Sequence, residues 1–189
     1  TVGYNNPQNL AFTMNALILH NSSLFIADTY VNKDPTAEQI AQGTLMCASE
    51  IERFGITPKV ALLSNSNFGS GPNGGGNKMQ DALPIIRETR PDLQIDGEMQ
   101  GDVAMMEEMR QQILPDSTLK GSANLLVMPN VEAANISYNL LRVSAADGIT
   151  VGPILMGMNK PIHIITPIST VRRIVNMVAL AAVDAQRNK

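Results

Sequence analysis

The sequence predicts an α/β fold built on a mostly parallel sheet, and three apolar runs carry that prediction. Residues 60–63, 124–128 and 162–165 are short, apolar and bounded by turn residues, which is strand length in strand context. Each leads toward a stretch with helical periodicity: 77–88, 131–145 and a segment that starts near Ser169. Strands that alternate with helices imply parallel pairing with helices over the sheet faces.

The opening residues are poorly periodic. An apolar run at 14–19 and another at 24–27, separated by a His20-Asn21-Ser22-Ser23 turn, predict a hairpin, with His20 as an exposed turn residue. Asp34-Pro35-Thr36 then starts a helix: Pro35 suits its first positions and Thr36 with Gln39 forms a capping box. Ile40, Thr44, Cys47, Ala48 and Ile51 share one face, and Gly55 ends the helix with Pro58 beyond.

The strand at 60–63 runs into Ser64-Asn65-Ser66-Asn67-Phe68-Gly69-Ser70-Gly71, a donor-rich loop of the kind that meets oxyanions. The loop continues through Pro72 and Gly74-Gly75-Gly76 to the helix at 77–88; the absence of GxxxxGK[ST] excludes a nucleoside-triphosphate P-loop. Residues 93–100 alternate as an edge strand, with Asp96 and Glu98 on one face. With no His or third carboxylate nearby in sequence, solvated or capping roles are expected for this pair. Asp102 is expected to cap a helix running through Met109, and Asn130 to cap the helix at 131–145, whose buried face is read as Ile136, Leu140 and Val143. Asp147-Gly148 reads as a turn, and the compact Gly-Pro-rich stretch 152–157 as a domain hinge.

The last strand, at 162–165, is followed by a Thr166-Pro167 turn and a helix that carries Arg172 and Arg173 in its first turn. Positive charge there opposes the helix dipole at about 0.3–1 kcal/mol per charge. Either solvent screens that cost or an anion offsets it. Further along, Val171, Ile174, Val175, Val178, Ala179 and Ala182 make one stripe, while Met177, Leu180 and Ala181 make the opposite face apolar too. A helix apolar all round is expected to be buried. With little sequence after it, the chain reads as part of a longer polypeptide or as one side of a subunit interface.

Composition narrows the function classes. At 44% hydrophobic and 16% charged residues the chain is globular rather than disordered, and its 189 residues suffice for one domain or one and a fraction. A net charge of −3 and a pI near 5.3 supply no global attraction to nucleic acid or anionic membrane. The single Cys47 excludes an internal disulfide and a CxxC zinc site. No apolar run approaches the roughly 20 residues of a membrane span, and no signal-peptide pattern is visible, so a cytoplasmic location is expected.

Several motifs together resemble the phosphate acetyl/butyryl transferase family. They are Phe25-Ile-Ala-Asp28-Thr, Asn32-x-Asp34-Pro-Thr-Ala-Glu-Gln39, Ser64-x-Ser66-x-x-Gly69-Ser70-Gly71, Asp96-Gly-Glu-Met-Gln100-x-Asp102, Gly121-x-Ala-Asn124, Ala134-Asn135-Ile-x-Tyr138 and Gly152-Pro-Ile, in the family's order and spacing. The resemblance implies a three-layer, isocitrate-dehydrogenase-like α/β domain, the second of the family's two. It implies that residues 1–157 are this second domain and that 158–189 are a strand and helix returning to a first domain that is mostly absent. Ser64-Asn-Ser-Asn-Phe-Gly-Ser and the stretch from Lys160 onward are similar to the transacetylase-like C-terminal region of large bacterial NADP-dependent malic enzymes. That likeness implies a parent enzyme oxidising malate to pyruvate and CO2 with NADP and a divalent metal ion held elsewhere in the polypeptide. It also implies a role for this region in sensing acetyl-CoA and in homo-oligomer formation.

The family's active members carry a serine, an arginine and an aspartate that fall here on Thr166, Pro167 and Arg173. Proline has neither a guanidinium nor an N–H, and arginine cannot accept a proton from a thiol at pH 7. The resemblance therefore implies a domain in which these positions are degenerate and no residue is catalytic. Acyl-CoA or phosphate contacts are then expected from Ser66, Asn67, Gly69, Ser70, His163, Thr166, Arg172 and Arg173. No metal is expected in this domain. Two other readings stand beside it: an active transferase moving acetyl between CoA and phosphate, and a purely structural dimerisation module.

Overall fold

The computed structural model describes residues 2–71, 77–145, 149–167 and 169–187. The expected turn at 147–148 and the Gly-rich part of the loop at 72–76 lie outside the described residues.

The chain folds in the order β1 (Phe12–Ile18), β2 (Ser23–Ala27), α1 (Ala37–Arg53), β3 (Lys59–Leu63), α2 (Lys78–Thr89), β4 (Gln94–Met99), α3 (Gly101–Met105), α4 (Glu107–Ile113), β5 (Leu125–Val127), α5 (Val131–Ser144), β6 (Ile149–Met156) and α6 (Val171–Arg187). The strands form one six-stranded sheet in the order β4-β3-β5-β2-β1-β6. β1 is antiparallel to β2 and to β6, while β2–β5, β5–β3 and β3–β4 pair in parallel, so β1 alone runs against the rest. The expected hairpin and the mostly parallel sheet are both present.

Two apolar cores lie on the two faces, giving three layers. Phe12, Met14 and Phe25 pack with Ile40, Cys47 and Ile51 of α1, Met79 and Ile86 of α2, and Met177 of α6. Leu17, Ile26 and Leu126 pack with Val103 of α3 and with Ala134 and Tyr138 of α5. The alternation of residues along each strand sends successive side chains to opposite cores. Thr36 caps α1 with both bonds of the capping box formed, and its predicted apolar face is buried throughout.

Four local expectations are corrected. The segment predicted as one helix from Asp102 to Met109 is broken at Met106, and Gln100 rather than Asp102 occupies the N-cap. The break frees the last carbonyls of α3, which no longer find helical donors. The fully buried Arg110 takes two of them, donating to the Val103 and Ala104 carbonyls at 3.0 and 3.2 Å, and reaches the Leu119 and Gly121 carbonyls of the following loop at 2.9 and 2.6 Å. Residues 152–156 are the outer half of β6, and Gly157 follows it; Pro153, which lacks a donor, is tolerated because β6 is an edge strand. Residues 162–165 form no strand. On α5 the buried residues are Ala134 and Tyr138, whereas Ile136, Leu140 and Val143 are 60%, 65% and 75% exposed. The all-apolar α6 likewise buries Met177 while Val171, Val175 and Val178 face outward.

Candidate functional site

The loop after β3 is folded around one carboxylate. Phe68 and Gly69 adopt φ of 48° and 83°, which turns the chain back over the end of β4. There the fully buried Glu98 accepts hydrogen bonds at its Oε1 from Ser66 Oγ and from the Gly69 N–H, both at 3.0 Å. Asn67 and Gln100 exchange two more, Asn67 Nδ2 to Gln100 Oε1 at 2.9 Å and Gln100 N to Asn67 Oδ1 at 2.8 Å. Ser70 Oγ accepts from the Asn67 N–H at 3.1 Å. Ser66 Oγ, the Gly69 N–H and the Asn67 amide, expected to face a phosphate, thus donate within the protein, while Ser70 Oγ is engaged as an acceptor.

The solvated role expected for Asp96 and Glu98 is overturned, since both are buried. Asp96 accepts from Ser117 Oγ at 2.8 Å, from the Thr118 N–H at 3.1 Å and from Arg87 at 3.2 Å. These partners lie far away in sequence, so spacing alone gave no sign of them. Another buried carboxylate that sequence reasoning passed over is Asp28, which accepts from the N–H groups of Thr13, Tyr30, Val31 and Asn32 and from the Thr13 hydroxyl. It fixes the end of β2 against the start of β1.

The 160–176 stretch lies at the opposite end of the sheet, along the outer edge of β6. His163 Nδ1 accepts from the Leu155 N–H at 3.3 Å, so one imidazole stands where a ladder partner would be. Thr166 is closed into a turn: its N–H donates to Ser169 Oγ at 3.1 Å, its hydroxyl lies 3.2 Å from the same oxygen, and the Ser169 N–H donates to its carbonyl at 2.9 Å. Pro167 is exposed. Thr170 caps α6 through its hydroxyl, 3.3 Å from the Arg173 N–H.

The two arginines part company. Arg172 is exposed, whereas Arg173 is 8% exposed and its Nε donates to the Gly152 carbonyl at 2.6 Å. Arg173 forms no ion pair among the described residues, and its Nη2 is buried without a partner. Its charge reaches the buried Tyr138 hydroxyl, whose pKa is pushed up by burial and drawn partly back by that charge.

Two cavities border this stretch. One of about 370 Å³ is lined by Lys160, His163, Arg53, Glu50 and Asp184, among others. In it Arg53 bridges Glu50, at 2.6 Å, and Asp184. His163 Nε2 stands 3.7 Å from Asp184. Burial holds the His163 pKa below its ordinary value, against the opposing pull of Asp184. The second cavity, about 480 Å³, lies between α6, the end of α1 and the start of β6; Phe54, Ile149, Val151, Leu180 and Val183 line it, with Arg172 and Asn176 beside them.

His163, Thr166, Arg172 and Arg173 are therefore neighbours along one edge. Ser66, Asn67, Gly69 and Ser70 are not with them: three strands lie between β3 and β6, a separation of about 19 Å at the usual strand spacing of about 4.8 Å. The two groups share no hydrogen bond or ion pair among the described residues. No group of three or more His, Cys, Asp or Glu able to hold a metal ion occurs among the described residues. No helix among them is long and apolar enough to cross a membrane.

Comparison with known proteins agrees with this architecture. The chain is 60% identical over 184 residues to the NADP-dependent malic enzyme of Salmonella typhimurium, covering 97% of this chain and 24% of that protein. It is 38% identical over 169 residues to the phosphate acetyltransferase of Haemophilus influenzae, covering 89% of this chain and again 24% of the relative. The chain thus spans about a quarter of the length of these curated relatives. Among solved structures, EutD phosphotransacetylase from Staphylococcus aureus superposes with a TM-score of 0.83 at 26% identity, over 95% of this chain and 55% of that one. The family described as phosphate acetyl/butaryl transferase matches residues 4–182, and this α/β chain belongs to that family.

Proposed function

We propose that the chain is the phosphotransacetylase-like regulatory and oligomerisation domain of an NADP-dependent malic enzyme, and that it binds acetyl-CoA as an effector without transferring the acetyl group. The observation that carries the reading is Arg173. At the position where the resemblance places a proton acceptor stands a buried guanidinium bonded to the Gly152 carbonyl. It holds the edge of β6 and has no lone pair to offer a thiol. Transfer of acetyl from CoA to phosphate breaks a thioester carbon–sulfur bond, forms a carbon–oxygen bond to phosphate and protonates the departing thiolate. The reverse reaction needs that proton removed, and Pro167 beside Thr166 offers no cation to orient the phosphate.

Effector binding is supported by Arg172 and the cavity beside it. An exposed guanidinium at the mouth of an apolar-lined cavity of about 480 Å³ suits a ligand with an anionic part and an apolar part. The fit of Ser66 to Ser70 to a second phosphate is poor, because Glu98 already occupies their donors. In this reading NADP and a divalent metal ion serve malate oxidation in another part of the polypeptide, residues 158–189 return toward the first domain, and the protein is cytoplasmic.

The test uses the complete protein. With acetyl-CoA and inorganic phosphate at millimolar concentration, no free thiol above background is expected, while acetyl-CoA is expected to change the rate of malate-dependent NADPH formation. Arg172→Glu is expected to weaken that response several-fold. Thiol release with turnover overturns the silent assignment; an unchanged malate rate together with no calorimetric signal for acetyl-CoA overturns the effector assignment.

A further inference from the structure

Residues 160–165 run along the outer edge of β6 without joining it as a strand. Among the described residues no backbone–backbone bond ties them to β6, and the 3.3 Å bond from the Leu155 N–H to His163 Nδ1 is the one hydrogen bond that does. Apolar packing adds little there, since Ile162 and Ile165 are 41% and 47% exposed. The pin is a titratable side chain, 5% exposed, with a second partner within reach. Its Nε2 is buried without a hydrogen bond and stands 3.7 Å from Asp184 of α6. The ring borders the cavity of about 370 Å³, which gives it room to turn.

We infer that His163 is a proton-operated latch: neutral, it holds residues 160–165 along β6; protonated, it gives up the Leu155 N–H and turns to Asp184. The neutral ring accepts at Nδ1. A protonated ring carries N–H on both nitrogens, so Nδ1 then meets the Leu155 N–H as donor against donor. The charge gained is drawn to the Asp184 carboxylate. The charged groups facing the ring are Asp184 from α6, Arg53 and Glu50 from α1 and Lys160 on its own segment, while β6 presents apolar side chains and backbone. Arg53 bridges Glu50 and Asp184, so an imidazolium competes with a guanidinium for Asp184. Burial disfavours the charged ring in the closed position, which makes proton uptake and release of the segment one linked step. Arg53 and Asp184 also line the cavity of about 480 Å³ beside Arg172. Drawing Asp184 away leaves the Arg53 guanidinium to that cavity, so acidification is coupled to tighter anion binding there, a consequence that rests on the effector reading.

The latch is tested on the complete protein by hydrogen exchange of the peptide that contains Leu155, with circular dichroism to verify folding. His163→Asn keeps an acceptor for the Leu155 N–H and takes up no proton, so comparison with it cancels the intrinsic pH dependence of exchange. Between pH 7 and pH 5.5 the Leu155 amide is expected to lose protection several-fold in the wild type relative to His163→Asn. The same pH course in both proteins overturns the latch. Asp184→Asn removes the alternative partner and is expected to move the loss of protection to lower pH; an unmoved transition overturns the role of Asp184. Calorimetry with acetyl-CoA reads the coupling: affinity is expected to rise on acidification more in the wild type than in His163→Asn. Equal changes overturn the coupling, and no binding at either pH overturns the effector reading, on which exchange at Leu155 does not depend.

Discussion

Arg173 and Gly152 are joined by a 2.6 Å hydrogen bond from the guanidinium Nε to the backbone carbonyl oxygen. The bond spans the outer edge of β6, an edge that no other strand covers among the described residues. An exposed strand edge invites pairing with another chain, and a guanidinium on its carbonyl is one way of blocking it. Arg173→Ala is therefore expected to lower stability by about 1–3 kcal/mol, the cost of a buried carbonyl left without its donor. Urea unfolding of the variant measures it; an unchanged midpoint contradicts a structural role for the side chain.

Gly43 of α1 lies directly against Phe12 of β1. A Cβ there would overlap the ring of Phe12, which is itself fully buried. Alanine at a helical position gains about 1 kcal/mol over glycine in helix propensity. Overpacking a filled core costs about 1–3 kcal/mol. The second effect is the larger here because the ring has no space to retreat into. Gly43→Ala is expected to lower the thermal midpoint, whereas the same exchange on an open helix face would raise it.

His163 sets a pH limit on stability. The Leu155 N–H donates to Nδ1, which places the neutral imidazole proton on Nε2 toward Asp184. The ring is faced by Asp184 of α6 and by Arg53 and Glu50 of α1, with Lys160 on its own segment. Burial lowers its pKa from 6.5, so the folded state takes up the proton less readily than the unfolded chain. Its contribution is complete above about pH 6.5 and is lost as pH falls through that value toward the folded pKa. The unfolding midpoint is expected to drop between pH 7 and pH 5.5, and to drop less in His163→Asn. Equal slopes in the two proteins contradict the assignment.

Local signals in the sequence located most of the framework because they act over a few residues. Thr36 and Gln39 cap α1 as their spacing predicts, and Ile40 through Ile51 show the period of a helix with one buried face. The errors arise where a partner is remote. The stripe of Ile136, Leu140 and Val143 is periodic, but periodicity does not say which stripe meets the sheet; Ala134 and Tyr138 do. Residues 162–165 have strand propensity, yet Pro161 and Pro167 bracket them and the β6 edge they run along is met by His163 and Arg173 side chains instead. In the candidate site the resemblance alone sets Arg173 at the position where a base is expected. That Arg173 is buried and Arg172 exposed was not legible, because it depends on how the first turn of α6 rolls against β6.

Glu98 changes how the donor-rich loop after β3 behaves toward anions. Its carboxylate is a ligand attached to the same chain, taking the Ser66 and Gly69 donors that an external oxyanion would need. Such a tethered competitor acts at an effective concentration of at least the millimolar range, and it never diffuses away. Free phosphate must outcompete it and also accept the repulsion of a displaced negative charge. In this arrangement the Ser66 and Gly69 donors tie the loop to the end of β4 and so serve the folding of the β3–β4 edge.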